Sequence, residues 1–469
     1  MFARRVPRPP PPLRAELSAL VRLALPLAIA QGGQSLMGVV DTAVVGRAGP
    51  LALAGVGLGN TLFMALSIFG MGVMHGLDPL VSQALGAGDA ARARRLLWQG
   101  SWLALGLAAA LALPFAVAPQ LLAPLGIDAP VAREAGRYLL WRLPGLPFFF
   151  LYVSGRAYLQ AIGVTRPMVV AIVLANVLNV PADVLLVFGG ASLPALAGPL
   201  RAVPAMGAAG AAIATSACTG VQVAILALAI RGISADGAVS RAPVAADVRA
   251  AARVGLPIGL HMGAEVMSFA LVGFLAGRLG AIPLASHQLA ISMASLTFTV
   301  AVGFGNAGSV QVGRAVGARD RARARRAGLA VLGAGAAFMA ATGVVFAAFP
   351  AAIARAMTDD PALVDAAVPL LRLAALFQIS DGVQAVGAGV LRGAGETRFT
   401  FAANMVGHWA LGVPAAVLLA FGLGLGVVGL WWGFVVGLTA VGASLLARFL
   451  RVSAREIVPL AERASVEAG

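Results

Sequence analysis

Four acidic residues lie inside long apolar stretches of the sequence, where charged side chains are rare: Asp41, Asp183, Glu265 and Asp381. An acid at the centre of a membrane helix costs about 2.5–3.5 kcal/mol on insertion scales, so each one requires a partner or a function. A carboxylate in such surroundings can coordinate a sodium ion or carry a proton. These four residues therefore indicate ion or cation binding within a membrane.

The first two acids are expected at the same depth. Asp41 precedes the Gly46-Arg47 end of its apolar stretch by about five residues, which is roughly 8 Å inward along a helix. Asp183 follows Arg166, at the start of another stretch, by about 17 residues, or roughly 25 Å. The two counts are independent, and both place the carboxyl in the outer half of the membrane.

Polar residues lie on the same helix faces as these two acids. Gln34 precedes Asp41 by seven residues, and Asn176 and Asn179 precede Asp183 by seven and four, which are spacings that repeat along a helix. Their oxygens suit a sodium ion or a desolvated carboxyl pair that holds a proton. The alternative is that the acids are wetted by lipid headgroups and the amides only hydrogen-bond between helices. The predicted first site comprises Gln34, Asp41, Asn176, Asn179, Asp183 and Thr215.

The other two acids are expected near the bilayer centre. Glu265 lies about 13 residues before Arg278, and Asp381 lies about 11 before Arg392. Each belongs to a stripe of polar residues that is expected to face a water-filled cavity, where the acid could carry a proton or bind sodium. The alternative is that each acid is neutral and only hydrogen-bonds to the other residues of its stripe. A further acid, Asp78, lies toward the end of the apolar stretch at 51–83 and is expected only to cap a helix or contact a loop. The predicted second site comprises His261, Glu265, Gln378, Asp381 and Gln384.

The composition requires a membrane protein. Of 469 residues, 60% are hydrophobic and 11% charged, and the mean hydropathy is +0.91. Apolar runs of 20 or more residues are long enough to cross about 30 Å of hydrocarbon as helices, and the short alternating segments of a membrane barrel are absent. The net charge of +15 comes from arginines between these runs, without interleaved aromatic residues, which excludes nucleic-acid binding. The one cysteine, Cys218, excludes an internal disulfide.

The apolar runs predict an all-α membrane protein of twelve transmembrane helices. A polar stretch at 232–248 divides them into two lobes, 17–231 and 249–453, flanked by an N-terminal tail at 1–16 without a signal peptide and a C-terminal tail at 454–469. The predicted helices are 18–46, 51–83, 93–118, 131–161, 166–189, 205–231, 249–277, 282–312, 323–349, 363–392, 398–422 and 425–452.

An internal repeat relates the two lobes. At an offset of 231 residues, Leu25-Pro26 recurs as Leu256-Pro257, and the turn Gly86-Ala87-Gly88-Asp89 recurs as Gly317-Ala318-Arg319-Asp320. Because each repeat holds an even number of crossings, both begin on the same side of the membrane. The lobes are therefore predicted to be related by a pseudo-twofold axis along the membrane normal, with a substrate site between them.

The arginines predict the orientation. We count 26 of the 34 on the side of both termini and 8 on the other. Short loops rich in Arg face the cytoplasm. Both termini are therefore predicted to lie in the cytoplasm of a bacterium, with the chain in its inner membrane.

Several of these segments resemble the multidrug and toxic compound extrusion (MATE) transporters over nearly the whole chain. The resemblance is carried by Leu25-Pro26, the Val40 to Gly46 segment, the Ser82 to Gly88 turn, the Asn176 to Asp183 stripe and the Ser380 to Gln384 stretch. Glu265 and Asp381 resemble the second-lobe acids of the NorM-like branch. One departure is His408, where an aromatic residue is expected.

The resemblance implies a V-shaped fold and export of small organic cations in exchange for H⁺ or Na⁺. It implies that Asp41, Asn179, Asp183 and Thr215 bind the coupling ion in the first lobe. It also implies that Glu265 and Asp381 act in the second lobe, and that the first helix bends near Pro26. Either acid cluster is a possible sodium site, and no other cofactor is expected.

Two other functions remain open from the sequence. A lipid-linked saccharide flippase shares the repeat but is expected to line its cavity with arginines, whereas the predicted intramembrane charges here are acidic. A membrane-embedded prenyl-transferring enzyme needs an acidic motif, and Asp359-Asp360 instead precedes Pro361 in the manner of a helix N-cap. We predict a monomeric transporter and not an enzyme.

Overall fold

The computed structural model describes residues 13–191, 195–233 and 239–466, and every regular element in those ranges is helical. Eleven helices within them are long and apolar enough to cross a membrane. A further helix, broken into Ala129–Arg142 and Leu146–Ile162, completes twelve crossings. We label the crossings in chain order as α1 (Leu13–Gly46), α2 (Pro50–Gly86), α3 (Ala90–Leu122), α4 (Ala129–Arg142 and Leu146–Ile162), α5 (Arg166–Phe188), α6 (Ala208–Arg231), α7 (Ala245–Leu279), α8 (Ala281–Gly317), α9 (Arg321–Ala348), α10 (Pro361–Gly393), α11 (Thr397–Gly422) and α12 (Gly426–Ser453).

The break in α4 differs from the uninterrupted helix predicted at 131–161. A 3-10 turn at Leu143–Gly145 separates its two parts. Pro144 within that turn has no backbone N–H to continue the helical hydrogen bonds. The first part also carries several charged residues, so its composition alone does not mark it as a membrane helix.

The segments outside the crossings also differ from the prediction. Helix α7 begins at Ala245, within the predicted linker at 232–248. The described end of that linker lies against α3, where the Gln99 amide donates to the Ala242 carbonyl and its oxygen accepts from the Val244 N–H. The predicted C-terminal tail contains a helix, Leu460–Val466. Linker residues 234–238 and tail residues 1–12 and 467–469 lie outside the described residues.

Aspartates accept backbone hydrogen bonds at the starts of three helices. Asp89 accepts from the Arg92 N–H at 2.8 Å, and its repeat counterpart Asp320 accepts from the Arg323 N–H at 2.9 Å. Asp360 likewise accepts from the N–H of Ala362, as an N-cap does. The Asp359-Asp360 pair therefore sits at a helix start, as predicted.

Glycines at the lobe interface show how the two repeats face each other. A Cβ added to Gly72 on α2 would lie 2.5 Å from the Gly259 Cα on α7, and one added to Gly303 on α8 would lie 2.9 Å from the Ala28 Cβ on α1. The 231-residue offset exchanges these two contacts. Helix α2 thus packs on α7 as α8 packs on α1, which confirms two like-oriented lobes about a pseudo-twofold axis.

The lobes also meet at the face of the bundle where α1 begins and α12 ends, which we call the terminal side. Gly86 on α2 packs against the Arg314 backbone on α8, and Gly317 on α8 packs against the Gln83 backbone on α2. The same offset exchanges these contacts. Only a residue without a side chain permits such close backbone approach, so these glycines position the lobes.

Candidate functional site

The first lobe, α1 to α6, is called the N-lobe below, and the second, α7 to α12, the C-lobe. The N-lobe brings its two predicted acids together. Asp41 on α1 and Asp183 on α5 are 3% and 0% exposed, and their carboxyls are direct electrostatic neighbours. Thr215 on α6 donates its hydroxyl to Asp41 Oδ2 at 2.7 Å. Asn179 is fully buried one helical turn before Asp183. Three helices thus converge on one buried polar cluster.

The oxygens of this cluster are available to a small cation. Asp41 Oδ1, both Asp183 oxygens and the Asn179 side-chain atoms have no hydrogen-bond partner within the described protein. Buried polar atoms require a partner, which can be water, a proton or an ion. Carboxylate, amide and hydroxyl oxygens are the ligands that hard cations prefer. The donor set therefore fits a sodium ion, and the paired carboxyls equally fit a shared proton.

Arg142 belongs to this cluster, although it was predicted only to lie in the helix at 131–161, on the outer side of the membrane, and not in a site. Arg142, 5% exposed at the end of the first part of α4, is an electrostatic neighbour of Asp183. Its guanidinium donates to the Ser216 hydroxyl at 3.2 Å and lies 4.5 Å from the centre of the Phe63 ring. The break in α4 was not predicted, and so the burial of Arg142 at that break was also missed.

Two predicted members of the N-lobe site bind elsewhere. The Gln34 amide donates to the Gln222 side chain at 3.1 Å. The Asn176 amide donates to the carbonyls of Gly33 and Ile172, at 3.0 and 2.9 Å. Gln34 thus connects α1 to α6, and Asn176 connects α5 to α1. Neither side chain hydrogen-bonds to the acids.

The C-lobe acid Glu265 is held by side chains from two helices. Its Oε1 accepts from the Gln384 amide on α10 at 2.8 Å, and its Oε2 lies 3.2 Å from His261 Nε2, one turn earlier on α7. His408 on α11 is a further electrostatic neighbour. The predicted stripe on α7 and the Gln384 position on α10 therefore meet at Glu265.

Asp381 completes the C-lobe pair. It is 5% exposed and is an electrostatic neighbour of Glu265. Gln378, on the preceding turn, accepts from the Thr297 hydroxyl at 2.9 Å and so supports α8 rather than the acids.

Both C-lobe acids line a cavity of about 360 Å³. Its wall is mainly apolar and aromatic, with Phe269, Phe298 and Phe377 among the lining residues, and one helix of the N-lobe contributes Ile68 and His75. A cavity of this size, apolar with a few polar groups, is typical of a site for small organic molecules. Aromatic faces and carboxylates together favour a molecule that is both apolar and cationic.

His408, the departure from the expected aromatic residue, packs as an aromatic ring does. Its ring centre lies 6.1 Å from that of Phe269, and the residue is 2% exposed. It lies on a π-helical segment, Met405–Gly412, within α11. Its side chain therefore fills the expected position beside Glu265 while adding a titratable group.

Together, the fold and the two acid clusters define a class: a membrane protein of two like-oriented six-helix lobes, each with buried carboxyls. The family model described as MatE matches residues 26–185 and 257–418, one segment in each lobe. These segments make up more than half of the chain, which therefore belongs to the MatE family.

Curated relatives match nearly end to end. A "Probable multidrug resistance protein NorM" of Burkholderia mallei is 35% identical over 464 residues, covering 97% of this chain and 96% of the relative. One with the same description from Deinococcus radiodurans is 37% identical over 457 residues, covering 95% and 97%.

Solved structures share the fold. The eukaryotic MATE transporter AtDTX14 has a TM-score of 0.83 at 22% identity, covering 97% of this chain and all of that one. A MATE transporter described in a bent conformation also scores 0.83, covering 97% and 98% at 22% identity. A superfamily transporter from Pyrococcus furiosus, described as having reverse polarity of its binding pocket, scores 0.82, covering 94% and 96% at 22% identity.

Proposed function

We propose that this protein is a multidrug efflux transporter that exports cationic or amphipathic organic compounds in exchange for H⁺ or Na⁺. The observation that carries the proposal is the aromatic cavity that contains both Glu265 and Asp381. The names of the relatives and the family membership support it. The acidic pair also weighs against a flippase for lipid-linked pyrophosphates, whose anionic cargo it would repel, and Arg392, which lines the cavity too, is paired with Asp78.

The proposed mechanism is alternating access by rocking of the lobes. A coupling ion that occupies an acid cluster neutralises it and weakens its hold on a cationic substrate, so ion uptake and substrate release are linked. The available driving force is about 1.4 kcal/mol per tenfold ion gradient. Each charge moved adds about 2.3 kcal/mol per 100 mV. Pro26, inside α1, is the proposed bending point of that helix.

The remaining parts of the proposal concern the setting. The excess of arginines on the terminal side supports cytoplasmic termini in a bacterial inner membrane. The sites consist of side chains within one chain, which supports a monomer as the transporting unit. Transport, and not catalysis, is the proposed activity.

The test is efflux of ethidium from proteoliposomes, with a proton or a sodium gradient imposed separately. Asp41→Asn and Glu265→Gln keep the shape of each side chain but remove its charge, and we expect initial rates at least about tenfold lower because ion and substrate binding depend on that charge. Asp365→Asn and Glu456→Gln are matched controls, since both acids are exposed. If Asp41→Asn and Glu265→Gln both transport at the parent rate, these roles are wrong.

A further inference from the structure

A second group of buried polar side chains joins the two lobes beside the cavity. His75 and Asp78 on α2 and Arg156 on α4 come from the N-lobe, and Asn306 on α8 and Arg392 on α10 come from the C-lobe. We call these five residues the interlobe network. The acid clusters do not include any of them, and from the sequence Asp78 was expected only to cap a helix or contact a loop.

The Asp78 carboxylate is the centre of the network. Its Oδ2 accepts from Arg392 Nη1 at 3.0 Å, across the lobe boundary, and lies 2.9 Å from His75 Nδ1. Arg392 Nη1 also reaches Asn306 Oδ1 at 3.5 Å. Arg156 Nη2 lies 3.3 Å from both ring nitrogens of His75. The network is thus continuous from α4 through α2 to the C-lobe helices.

The ion pair at the lobe boundary is shielded from water. The Asp78 and Arg392 side chains are 2% and 14% exposed. Removing one partner of a buried ion pair leaves an unpaired charge in low dielectric, which is strongly unfavourable. Both partners are therefore required in the closed arrangement of the lobes, where each charge is compensated by the other, and loss of either one disfavours that arrangement.

Two further hydrogen bonds cross the boundary close to this pair. The Gln160 amide on α4 donates to the Asn306 carbonyl at 3.2 Å, and the Gln83 amide on α2 donates to the Gly393 carbonyl at 3.0 Å. Lobe separation on the terminal side has to break these bonds together with the ion pair. The contacts therefore act as one unit that exists only while that side is closed.

We propose that the interlobe network is a latch that holds the terminal side closed and forms the floor of the cavity. His75, Asn306 and Arg392 line the cavity as well as bonding across the boundary. A molecule in the cavity therefore cannot reach the terminal side until Arg392 leaves Asp78. This proposal rests on the alternating-access function proposed above, because it assigns the latch to one half of that cycle.

The latch is tested by distances between spin labels in detergent and in lipid nanodiscs. Ala91→Cys with Ala322→Cys labels exposed, repeat-related positions at the terminal side, and Arg47→Cys with Arg278→Cys labels the opposite side. Both pairs are made with Cys218→Ala, which removes the native cysteine. The latch variants are Asp78→Asn, Arg392→Gln, Arg392→Lys and the double variant Asp78→Asn/Arg392→Gln. Arg372→Gln, at an exposed position on α10, is the control.

We expect Asp78→Asn and Arg392→Gln to increase the fraction of molecules with separated labels on the terminal side by about tenfold relative to the parent and the control. The distance on the opposite side should shorten in the same molecules. The double variant should shift the fraction no further than the larger single change, since both remove one interaction. Arg392→Lys, which keeps the charge, should give a smaller shift.

Elution as a single species and a helical circular-dichroism spectrum that matches the parent's identify the folded variants. Unchanged distance distributions in folded Asp78→Asn and Arg392→Gln would overturn the latch. If neither single variant folds, the double variant decides, because it removes the pair without leaving an unpaired buried charge, and a distribution identical to the parent's would reject the proposal. Should the distances shift while even the parent protein moves no dye, the latch stands and the transport proposal fails.

Discussion

At the scale of residues, the N-lobe cluster combines two acids with one buried arginine. Asp41 and Asp183 are mutual neighbours, and Arg142 supplies a positive charge to the same buried volume. Opposite charges within a few ångströms compete with any cation that the acids bind. Arg142 is therefore expected to weaken the attraction between the acid pair and the coupling ion proposed above.

We expect Arg142→Gln to tighten cation binding at the Asp41–Asp183 pair by about tenfold, because a positive charge near the acids opposes a bound cation by on the order of 1 kcal/mol or more in low dielectric. The measurement is the sodium concentration, or the proton concentration, that gives half-maximal dye efflux from proteoliposomes.

Two variants control this prediction. Arg137 lies on the same helix, and its side chain is 68% exposed. Arg137→Gln should therefore leave the dependence of dye efflux on ion concentration unchanged. Arg142→Lys keeps the charge and should stay closer to the parent. Equal ion dependence in Arg142→Gln and the parent protein would show that this guanidinium does not act on the acids.

At the scale of elements, glycine contacts decide how closely helices of different lobes approach. Gly72 on α2 faces the backbone of Gly259 on α7 without intervening side chains. Helix packing in membranes depends on such small residues, because lipid supplies no hydrophobic drive for helices to associate. A single methyl group at this position must displace backbone, which cannot rotate away.

We expect Gly72→Ala to lower stability in detergent by about 1–3 kcal/mol, the usual cost of overpacking. The change is measured by heating each protein to a series of temperatures and determining, by size-exclusion chromatography, the fraction that remains folded. Gly57→Ala on the same helix is the matched control, since a Cβ there meets no atom within 4 Å. If the Gly72→Ala protein unfolds at the same temperature as this control, α2 and α7 can separate slightly without loss of stability.

At the scale of the whole molecule, closure on the terminal side is shared by repeat-related contacts and by the C-terminal helix. The Gln83 side-chain oxygen accepts from the Leu460 N–H at 2.8 Å while its amide binds the other lobe at Gly393. Arg319 also donates to Glu462 on that helix at 2.6 Å. The end of the chain therefore bridges both lobes where they meet.

A reversible covalent bond across this closure should stop the proposed transport cycle. A Cβ on Gly313 would lie 2.8 Å from the Ser82 Cβ, which is close enough for Ser82→Cys and Gly313→Cys to form a disulfide after a small adjustment. We expect oxidation to abolish dye efflux and reduction to restore it, measured in a Cys218→Ala protein.

Each single cysteine variant is the control for this cross-link and should be unaffected by the oxidant. Full transport by a protein shown to be cross-linked would mean that the lobes need not part on the terminal side, and rocking of the lobes would then be wrong.

Much of the architecture follows from sequence because the membrane restricts it so strongly. Hydrocarbon accepts only segments that satisfy their own backbone hydrogen bonds, so long apolar runs such as the one in α8 must be helices. The register between Gly86 and Gly317 required like-oriented lobes, and the contacts confirm this. Helix α4 was predicted as a crossing at 131–161, but its break at Leu143–Gly145 was not, because a single Pro144 in a long helical stretch does not show whether the helix bends or breaks.

For the sites, helical spacing was enough to bring Asp41 to the depth of Asp183, and Glu265 to His261. It could not distinguish residues that point at the acids from those that point at a neighbouring helix. Gln34 and Gln378 share the correct face but bond to Gln222 and Thr297, because rotation of each helix about its axis is set by packing.

The sequence by itself determined which residues cross the membrane and that two like repeats face each other, since both are dictated by local hydrophobicity and by comparison of the chain with itself. Only the tertiary structure decided that Arg142 joins the acids and that Arg392 reaches Asp78 across the lobe boundary. Contacts between residues on different helices, far apart in the chain, depend on how whole helices dock. No local pattern encodes that arrangement.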